Sequence, residues 1–494
     1  MVFHWFPVIG STITYGINPI QFFFECREKY GDVFSFVLAG RTVTVTLGAK
    51  GNNFVLGGKT SHISAEDVYT NLTTPVFGKG VVYDCPNSTL MEQKKFVKFG
   101  LTVENFRYYT HVIADEVEKF LQTHECFKTY RDNANSSDAW GSFPAFQTMS
   151  ELIIYTASRS LQGEEIRAAV DGSFADIYHD LDGGFKPINL LLPGLPLPMN
   201  IKRDKAQKKM SDFYVGIIEK RRAQGEQKEI DMLASLMGQR YRNGRTLSDR
   251  EIAHIMIALL MAGQHTSSAT SSWALVHLAA RPDVWQTLYE EQVQNFSNGD
   301  GTFREIEYED LCNLPILDSV IRETLRMHPP IHSILRQVKD DLVVPPTLAT
   351  SRGGKPKSED NTYIIPKGHL ILASPAVSQL DPDIWKNANI WEPSRWSDPE
   401  GVAAQALDQY ENGSEKVDYG FGAVSKGTSS PYSPFGAGRH RCIGEQFAYV
   451  QLGTVIANLV RKLEIKINCV PPHNYRTMIV VPETPDDISY RRRV

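Results

Sequence analysis

The sequence predicts a predominantly α-helical fold with a smaller β region, which is the α+β class. Strand-like segments occur near both ends of the chain, and most of the sequence between them has the periodicity of helices. No repeat and no convincing linker interrupts this arrangement. Strands from both ends are therefore expected to meet in one domain, residues 1–494, around a long helical middle.

Composition limits the class of function. A hydrophobic fraction of 42% in 494 residues is enough for a large core. The formal charge of −5 gives no basic surface with which to neutralise phosphates, so no nucleic acid partner is expected. The six cysteines include no C-x-x-C pair, which indicates free thiols in a reducing compartment.

The N-terminus allows two interpretations. No apolar run approaches the roughly 20 residues that cross a bilayer, and the opening MVFHWFPVIG is too short for a signal peptide. Its aromatic residues are typical of membrane interfaces. Either a native N-terminal membrane anchor is missing from this chain, or these residues form an ordinary apolar tail packed on the core.

Three segments are predicted to contribute strands. VFSFVL and RTVTVTL flank Ala39 and Gly40 and indicate a β-hairpin. YIIPKGHLILAS indicates a second hairpin that turns at Pro366 to Gly368. A third strand-rich stretch lies near Met478 to Val481.

Two irregular segments lie between the predicted elements. FKPINLLLPGLPLPMN, residues 185–200, is too apolar for an ordinary loop and indicates a channel mouth or a membrane-dipping surface. A loop folded onto the core is the alternative. The Gly/Ser-rich segment 397–433 is predicted to be a solvated surface insertion.

The longest predicted helix begins at a capping box, Ser248 and Glu251, and ends at Pro282. At ~1.5 Å per residue it would be roughly 45 to 50 Å long. Its middle, residues 262–267, puts a glycine and hydroxyls among apolar turns. Burying these groups requires polar partners or a ligand, so the patch is either a satisfied kink or a functional site.

A second helix, LPILDSVIRETLRMHPP, carries Glu323 and Arg326 on one face. A lone pair of this kind is commonly a surface ion pair of little consequence. Arg395, in WEPSRW, is a candidate third member. With it, the three residues would form a charged network that holds two distant segments together.

The segment FGAGRHRCIG, residues 435–444, sets Cys442 among glycines and basic residues, just before an amphipathic helix. Amides at a helix N-terminus and nearby cations stabilise a thiolate, which predicts a lowered thiol pKa. The glycines would let the backbone approach a flat ligand closely. Cys442 is therefore a candidate nucleophile, redox sensor or metal ligand, with a buried structural cysteine as the alternative.

These motifs together resemble the cytochrome P450 superfamily. F-x-x-G-x-x-x-C-x-G, E-x-x-R, P-x-R and A-G-x-x-T occur in the order and spacing of that family, over essentially the whole chain. The resemblance implies the cytochrome P450 fold, with haem b between the long central helix and the cysteine loop. Cys442 would be the axial thiolate ligand of the haem iron, and Thr266 would organise protons beside its distal face. The buried structural network would consist of Glu323, Arg326 and Arg395.

Within the superfamily, the chain is similar to the sterol 14α-demethylases. His265 stands where an acid is common, His440 where arginine is common, and YTNLTTPVFGKGVVYD also matches that group. The long insertion resembles the filamentous-fungal members. Asp182 is expected to pair with His265 as a proton relay, which completes the catalytic set with Thr266. The haem propionates would meet Tyr69, Tyr83, Lys94, Arg336 and His440. The sterol pocket would be lined by Leu72, Phe77, Phe185, His332, Ser333 and Met478.

The resemblance implies removal of the 14α-methyl group of lanosterol or 24-methylenedihydrolanosterol in ergosterol biosynthesis. The methyl group would pass through alcohol and aldehyde and leave as formic acid, with formation of a Δ14 sterol. The chain has no nicotinamide or flavin fingerprint, so electrons are expected from NADPH-cytochrome P450 reductase. Lys95 and Lys98 are either its docking face or an ordinary solvated face.

The same resemblance implies the endoplasmic reticulum membrane as location, with the catalytic domain facing the cytosol, and azole-type inhibitors as ligands of the haem iron. Three other functions remain possible from the residues. A haem-thiolate isomerase commonly lacks the helix threonine, so Thr266 argues against it. A haem sensor or sterol carrier would bind without consuming oxygen, and a plain thiol enzyme would be blocked by alkylation.

Overall fold

A computed structural model describes residue 2 and residues 10–133, 139–170, 172–191, 195–225, 230–345, 348, 363–413, 417–418, 423–424 and 427–493. Helices make up most of these residues. In chain order the α-helices are α1 (Thr12–Ile17), α2 (Pro19–Tyr30), α3 (Gly48–Leu56), α4 (Glu66–Phe77), α5 (Asn87–Phe99), α6 (Val103–Thr123), α7 (Lys128–Asp132), α8 (Ala145–Ala157), α9 (Glu164–Ala169), α10 (Gly172–Asp182), α11 (Pro187–Leu191), α12 (Pro198–Gln224), α13 (Met232–Met237), α14 (Asp249–Ala280), α15 (Pro282–Phe296), α16 (Tyr308–Leu311), α17 (Pro315–Met327), α18 (Pro375–Gln379), α19 (Val402–Asn412) and α20 (Glu445–Lys462).

The β-strands are short and lie mainly toward the two ends of the chain, which confirms the predicted α+β class. In chain order they are β1 (Val33–Leu38), β2 (Arg41–Thr46), β3 (Ile63–Ser64), β4 (Gly141–Pro144), β5 (Ile334–Val338), β6 (Leu342–Val344), β7 (Tyr363–Ile365), β8 (Leu370–Ala373), β9 (Val417–Asp418), β10 (Ala423–Val424), β11 (Leu463–Lys466), β12 (His473–Asn474), β13 (Val481–Pro482) and β14 (Asp487–Arg492).

The largest sheet in the described chain has the strand order β1-β2-β8-β5-β3 and so combines strands from the N-terminal and C-terminal parts. The predicted first hairpin is confirmed, because β1 and β2 pair antiparallel with Leu38 opposite Arg41. Ala39 and Gly40 form its turn with φ angles of 47° and 78°. Positive φ at both positions is what a two-residue hairpin turn of this hand requires.

The predicted second hairpin is wrong. Its two strands exist, but β7 pairs with β6, whereas β8 lies between β2, its parallel neighbour, and β5. The amide of Gly368 in the connecting turn donates to Val338 O at 2.9 Å. All four residues of β8 are buried and both of its edges are occupied, so β7 has no free edge of β8 to join.

The third predicted strand region is correct at Val481 and incorrect at Met478. The strands β12 and β13 form a short antiparallel pair, and Met478 lies in the loop between them. This loop is attached to the helical core, since Val480 N donates to Pro330 O at 3.0 Å and Trp273 Nε1 donates to Val480 O at 3.2 Å.

The predicted long helix is confirmed as α14, which has 32 residues and starts at the capping box of Ser248 and Glu251. The helix passes unbroken through residues 262–267, where the Thr266 hydroxyl donates to Ala262 O at 2.8 Å. The Thr266 hydroxyl is thus satisfied within the helix. The helix packs against α8, α12, α17 and α20, so it crosses the centre of the helical core.

The two irregular segments are partly described. In residues 185–200, Leu190 packs against the apolar cluster of the N-terminal sheet, whereas Ile188 and Leu195 remain exposed, and residues 192–194 lie outside the described chain. In residues 397–433, α19 buries Ala403, Ala406 and Tyr410 against Trp385 and Tyr432. That part of the predicted surface insertion is packed because its apolar residues recur on one face of a helix.

Among the helices that the structure describes, we find none with the length and apolar character needed to cross a membrane.

Candidate functional site

Cys442 is held by a tight loop between Phe435 and α20. Gly436 and Gly438 adopt φ angles of 68° and 64°, a region that residues with Cβ atoms rarely occupy. A single 3₁₀ turn spans Gly438–His440, and Cys442 N donates to Phe435 O at 3.0 Å. The predicted helix after the cysteine is confirmed as α20, which begins at Glu445.

The thiol of Cys442 faces an internal space. The side chain of Cys442 is accessible to solvent. It is nevertheless surrounded by protein, and this burial raises the pKa of its thiol above the ordinary value. The hydrogen bond from the Gly444 amide and the charge of Lys94 oppose the increase only partly. The prediction that helix amides and cations lower this pKa is wrong for the polypeptide alone, because desolvation of the thiolate outweighs them. A thiol that is accessible to solvent and yet surrounded by protein lines a cavity.

The middle of α14 also borders open space. Ala262 is exposed although most residues along this helix are buried. A Cβ atom added at Gly263 would meet no atom within 4 Å. Because α14 packs against α20 and the cysteine loop leads into α20, we infer a cavity between this stretch and Cys442.

Lys94 and Arg441 lie near Cys442, and Arg336 lies near the neighbouring His440. Burial lowers the pKa of Lys94, on α5, to about 8, and its Nζ donates to Arg439 O at 3.2 Å and Arg441 O at 2.9 Å. Arg336, on β5, is 5% exposed and donates to Leu335 O at 2.7 Å. Within the described chain neither Lys94 nor Arg336 has a carboxylate partner, whereas Arg441 pairs with Glu445 at 2.8 Å. The charges of Lys94 and Arg336 are therefore not offset by a direct ion pair.

His440, Tyr69 and Tyr83 lie beside these cations. The rings of Tyr69 and Tyr83 stack with centroids 5.4 Å apart, and Tyr83 is 6.0 Å from the ring of His440. Burial and the charges of Arg336, Lys94 and Arg439 hold the pKa of His440 well below its usual range. Burial raises the pKa of Tyr83 to about 12. The cluster therefore presents cations and neutral phenols, which suit an anionic ligand.

His265 and Asp182 are in contact. His265 Nε2 lies 2.9 Å from Asp182 Oδ1, and the two side chains are 22% and 33% exposed. Burial alone would raise the pKa of Asp182, but the hydrogen bond and charge of His265 outweigh it and lower that pKa. Asp182 is the last residue of α10, so the pair connects the centre of α14 with the end of a helix that reaches water.

Sequence reasoning missed Tyr178, whose hydroxyl lies 2.9 Å from Gln264 Oε1 and 3.2 Å from His265 Nε2. A usable signal was present, because Tyr178 precedes Asp182 by four residues and so lies on the same face of α10.

The expected pocket residues lie on several elements. Phe77, at the end of α4, contacts Phe185 with ring centroids 5.3 Å apart, and Leu72, also on α4, is 3% exposed. His332 Nδ1 lies 2.7 Å from Ser333 Oγ, and burial lowers the pKa of His332 to about 4. Met478 is partly exposed in the β12–β13 loop. Sequence reasoning missed the rings nearest to His332, those of Tyr15 and Tyr475, at 6.2 Å and 5.9 Å.

Glu323, Arg326 and Arg395 form one network. Glu323 and Arg326 are 0% exposed and 2.9 Å apart, and Arg395 Nε lies 2.9 Å from Glu323 Oε1. Sequence reasoning missed Trp396, whose Nε1 donates to Glu323 Oε2 at 3.0 Å. Away from this network, Lys95 and Lys98 are both exposed on α5.

Comparisons with known proteins agree with this geometry. A family model described as Cytochrome P450 matches residues 2–490. The lanosterol 14-alpha demethylase of Mycosarcoma maydis is 55% identical over 491 residues, which are 98% of this chain and 86% of that protein. The eburicol 14-alpha-demethylase of Uncinula necator is 47% identical over 502 residues, 100% of this chain and 90% of that protein.

A similarity to a solved structure concerns the fold alone. Retinoic acid bound cyanobacterial CYP120A1 has a TM-score of 0.75 and 19% sequence identity, and the match covers 99% of this chain and 98% of that one.

Proposed function

The chain belongs to the cytochrome P450 family, and on that premise we propose that it removes the 14α-methyl group of lanosterol or 24-methylenedihydrolanosterol in ergosterol biosynthesis. The observation that carries this proposal is the 55% identity to a lanosterol 14-alpha demethylase over 98% of the chain. The family holds haem iron through a cysteine thiolate. The methyl carbon would be oxidised to alcohol and aldehyde and released as formic acid, which leaves a Δ14 double bond.

The residues around Cys442 fit haem. A flat ligand needs close approach of the backbone, which Gly436 and Gly438 allow, and an open space, which the exposure of Ala262 and Cys442 indicates. Its two propionates would supply the carboxylates that Lys94 and Arg336 lack. When bound, haem with a thiolate ligand supplies the chemistry that inserts an oxygen atom from O₂ into a C–H bond.

The proposed roles of the polypeptide are binding and orientation. Cys442 Sγ would hold the iron, and its proton would be lost on coordination, because a metal ion deprotonates a coordinating thiol. The propionates would be bound by Tyr69, Tyr83, Lys94, Arg336 and His440. The network of Glu323, Arg326 and Arg395 would keep the segments around the haem in register.

The proposed proton path runs from Asp182, whose side chain is 33% exposed, to His265, with Asp182 Oδ1 and His265 Nε2 2.9 Å apart. Thr266 Oγ1, anchored on Ala262 O at 2.8 Å, follows in the chain and would present a hydroxyl beside the cavity. Both residues belong to the stretch of α14 that borders the cavity. Their function would be to hold and pass protons while water is otherwise excluded.

An Asp182→Asn substitution tests this path. The amide cannot accept and return a proton as a carboxylate does, so turnover should fall about 10-fold or more while the haem absorption spectrum stays unchanged. Asp176→Asn, an exposed position on the same helix, is the matched control and should leave turnover unchanged. Equal rates for both variants would remove Asp182 from the path.

The substrate would lie against the apolar residues Leu72, Phe77 and Phe185, with His332, Ser333 and Met478 completing the wall. The contact between Phe77 and Phe185 supports this, because it joins α4 to the segment after α10 on one side of α14. A bulky tetracyclic alcohol requires an apolar pocket with few polar groups.

Partners and location complete the proposal. Electrons would come from NADPH-cytochrome P450 reductase, which Lys95 and Lys98 would help to dock. Azole-type inhibitors would ligate the haem iron. The exposed apolar residues Ile188, Leu195 and Met199 support contact with a membrane, which we propose to be that of the endoplasmic reticulum, with the catalytic domain in the cytosol.

Reconstitution tests the activity. The haem-loaded protein, a diflavin reductase and NADPH would be supplied with each sterol under air, and products identified by mass spectrometry. We expect the 14-demethylated diene, its loss in Cys442→Ala, and its retention in the control Cys469→Ala, which changes another exposed cysteine. Consumption of oxygen and NADPH with untouched sterols would overturn the substrate assignment and leave the haem-thiolate assignment intact.

A further inference from the structure

The proposed proton path does not account for a buried hydroxyl beside His265. Tyr178 lies on α10, is 8% exposed, and contacts both Gln264 and His265. Burial and the nearby Asp182 carboxylate raise the pKa of Tyr178 well above its usual value, so the phenol keeps its proton. The question is which neighbour receives that proton in a hydrogen bond.

Gln264 determines the direction of the hydrogen bond. Its Nε2 lies 3.4 Å from Ser150 O, a carbonyl that can only accept, and 3.3 Å from Ser268 Oγ. The Ser268 hydroxyl already donates to Gln264 O at 2.7 Å, so toward the amide it is an acceptor. The NH₂ group of Gln264 therefore faces these two acceptors, its carbonyl oxygen faces Tyr178, and the phenol must donate to Gln264.

Toward His265, the oxygen of Tyr178 can consequently only accept. The second neighbour of Nε2 is Asp182 Oδ1 at 2.9 Å, which as a carboxylate also accepts. In this arrangement Nε2 thus faces two acceptors and carries the hydrogen. Within the described chain, Nδ1 has no hydrogen-bond partner.

The two acceptors differ in how firmly they are held. Asp182 is the last residue of α10, its side chain is 33% exposed, and two glycines follow it. Tyr178 lies one turn inside the same helix, and its hydroxyl is tied to α14 and α8 through Gln264 and Ser150. If the contact of Asp182 with Nε2 is lost, the Tyr178 oxygen remains as an acceptor for Nε2.

We propose that Tyr178, with its hydroxyl proton held by Gln264, is a positioning residue that keeps the Nε2–H group of His265 in place while Asp182 exchanges protons with water. The inference rests on the proposed function, because it assigns proton delivery to His265. Tyr178 would supply a second acceptor that stays in place. The imidazole of His265 would then not rotate or change tautomer whenever the Asp182 carboxylate exchanges a proton with water.

Tyr178→Phe removes the hydroxyl and keeps the ring. Loss of an acceptor that stabilises the imidazolium should lower the pKa of His265 by about 0.5 to 1 unit, the equivalent of one neutral hydrogen bond. The alkaline limb of the kcat profile should move to lower pH by the same amount, with KM for the sterol unchanged. The histidine pKa is read separately, by NMR of ¹³C-labelled histidine in the reduced, carbon monoxide-bound protein, with His265→Gln identifying the signal.

Two further variants separate this role from a general effect on folding. Tyr214 is a fully buried tyrosine whose hydroxyl donates to Gln162 instead, so Tyr214→Phe should leave the pKa of His265 unchanged. Gln264→Met frees the Tyr178 proton to face Nε2 and should also lower that pKa. In the double variant Tyr178→Phe/Gln264→Met the shift should equal that of Tyr178→Phe alone, because the freed proton is gone.

The outcomes distinguish the inference from the proposed function. An unchanged pKa of His265 in Tyr178→Phe, or an equal shift in Tyr214→Phe, overturns the positioning role. Wild-type protein that leaves both sterols untouched overturns the proposed function, while the NMR measurement still decides whether Tyr178 holds His265.

Discussion

At the residue scale, Glu323 joins two distant segments of chain through one buried carboxylate. It accepts hydrogen bonds from Arg326 on its own helix, from the side chains of Arg395 and Trp396, and from the Glu392 amide at 2.9 Å. Such a carboxylate tolerates burial because each of its lone pairs has a donor. Its removal would leave the guanidinium of Arg326 buried without a counter-charge.

Glu323→Gln should therefore lower the free energy of unfolding by about 3 to 5 kcal/mol, the usual cost of breaking a buried pair. Urea unfolding of the haem-loaded protein measures it. Glu309→Gln is the matched control, because Glu309 pairs with Arg107 at 2.6 Å with side chains 52% and 57% exposed. It should leave the free energy of unfolding nearly unchanged, because an exposed ion pair contributes little. Similar losses in the two variants would contradict a structural role for the network.

Lys94 is the opposite case, a buried cation that lacks a carboxylate in the described polypeptide. Its hydrogen bonds to Arg439 O and Arg441 O satisfy the ammonium only partly, and burial lowers its pKa to about 8. The protein without haem thus contains a local source of instability that an anionic ligand would relieve.

Lys94→Met should have opposite effects on the two forms of the protein. The haem-free form should be as stable as the wild type or more so, because a desolvated charge is removed. Haem should dissociate several-fold faster, measured by its transfer to apomyoglobin. Lys98→Met, an exposed position on α5, should change neither quantity. Faster unfolding of the haem-free Lys94→Met protein would contradict the argument.

At the element scale, three histidines connect α14, the end of α17 and β12. His277 Nε2 lies 2.6 Å from His328 Nε2, and His328 Nδ1 lies 2.8 Å from His473 Nε2. His328 stacks on Trp273 at 3.9 Å, and His277 stacks on Trp391 at 5.0 Å. Each contact needs one donor and one acceptor nitrogen, which neutral imidazoles provide.

The chain of histidines predicts a loss of stability in acid. Burial lowers the pKa of His277 to about 3 and that of His473 to about 4, and burial with the neighbouring histidines and Arg326 holds that of His328 well below 6.5. The unfolded chain therefore takes up protons first as the pH falls. The contribution of these histidines to the free energy of unfolding is fully present above about pH 6.5. Below that pH it decreases by roughly 1.4 kcal/mol per pH unit for each histidine that stays neutral in the folded protein.

His277→Phe tests the predicted loss of stability in acid, because phenylalanine can stack on Trp391 but cannot take up a proton. Urea unfolding between about pH 7 and pH 5 should show a shallower decrease in unfolding free energy for the variant, by about 1.4 kcal/mol per pH unit. Parallel pH dependences for variant and wild type would show that His277 is not kept neutral by the fold.

At the scale of the whole molecule, haem would occupy the meeting point of segments that are distant in sequence. The site combines Lys94 of α5, Arg336 of β5 and Cys442 of the loop before α20. Ala262 on α14 is exposed toward the cavity inferred beside Cys442. A ligand that binds only the folded protein stabilises it by mass action.

Removal of haem should therefore loosen this region selectively. Hydrogen exchange followed by mass spectrometry should show faster exchange in residues 435–444 and 262–266 of the haem-free protein. The hairpin of β1 and β2, which belongs to a separate apolar cluster, should exchange at an unchanged rate. A uniform increase across both regions would indicate global unfolding instead.

Sequence reasoning succeeded where the signal was local. The hairpin around Ala39 and Gly40, the capping box of α14 and the helix after Cys442 depend on residues within a few positions of one another. It failed at the second hairpin, because the partners of β8 are β2 and β5, far away in the chain. The contribution of Tyr178 was also missed, although it lies one helical turn before Asp182, the predicted partner of His265.

The sequence by itself determined the α+β class, the positions of helices α14, α17 and α20, and the family, because these depend on periodicity, caps and motif spacing. The tertiary structure decided which strands pair, that Lys94 lacks a carboxylate partner among the described residues, and that burial raises the thiol pKa that the helix terminus was predicted to lower. Desolvation and long-range pairing depend on which segments pack together, and no local pattern in the chain specifies them.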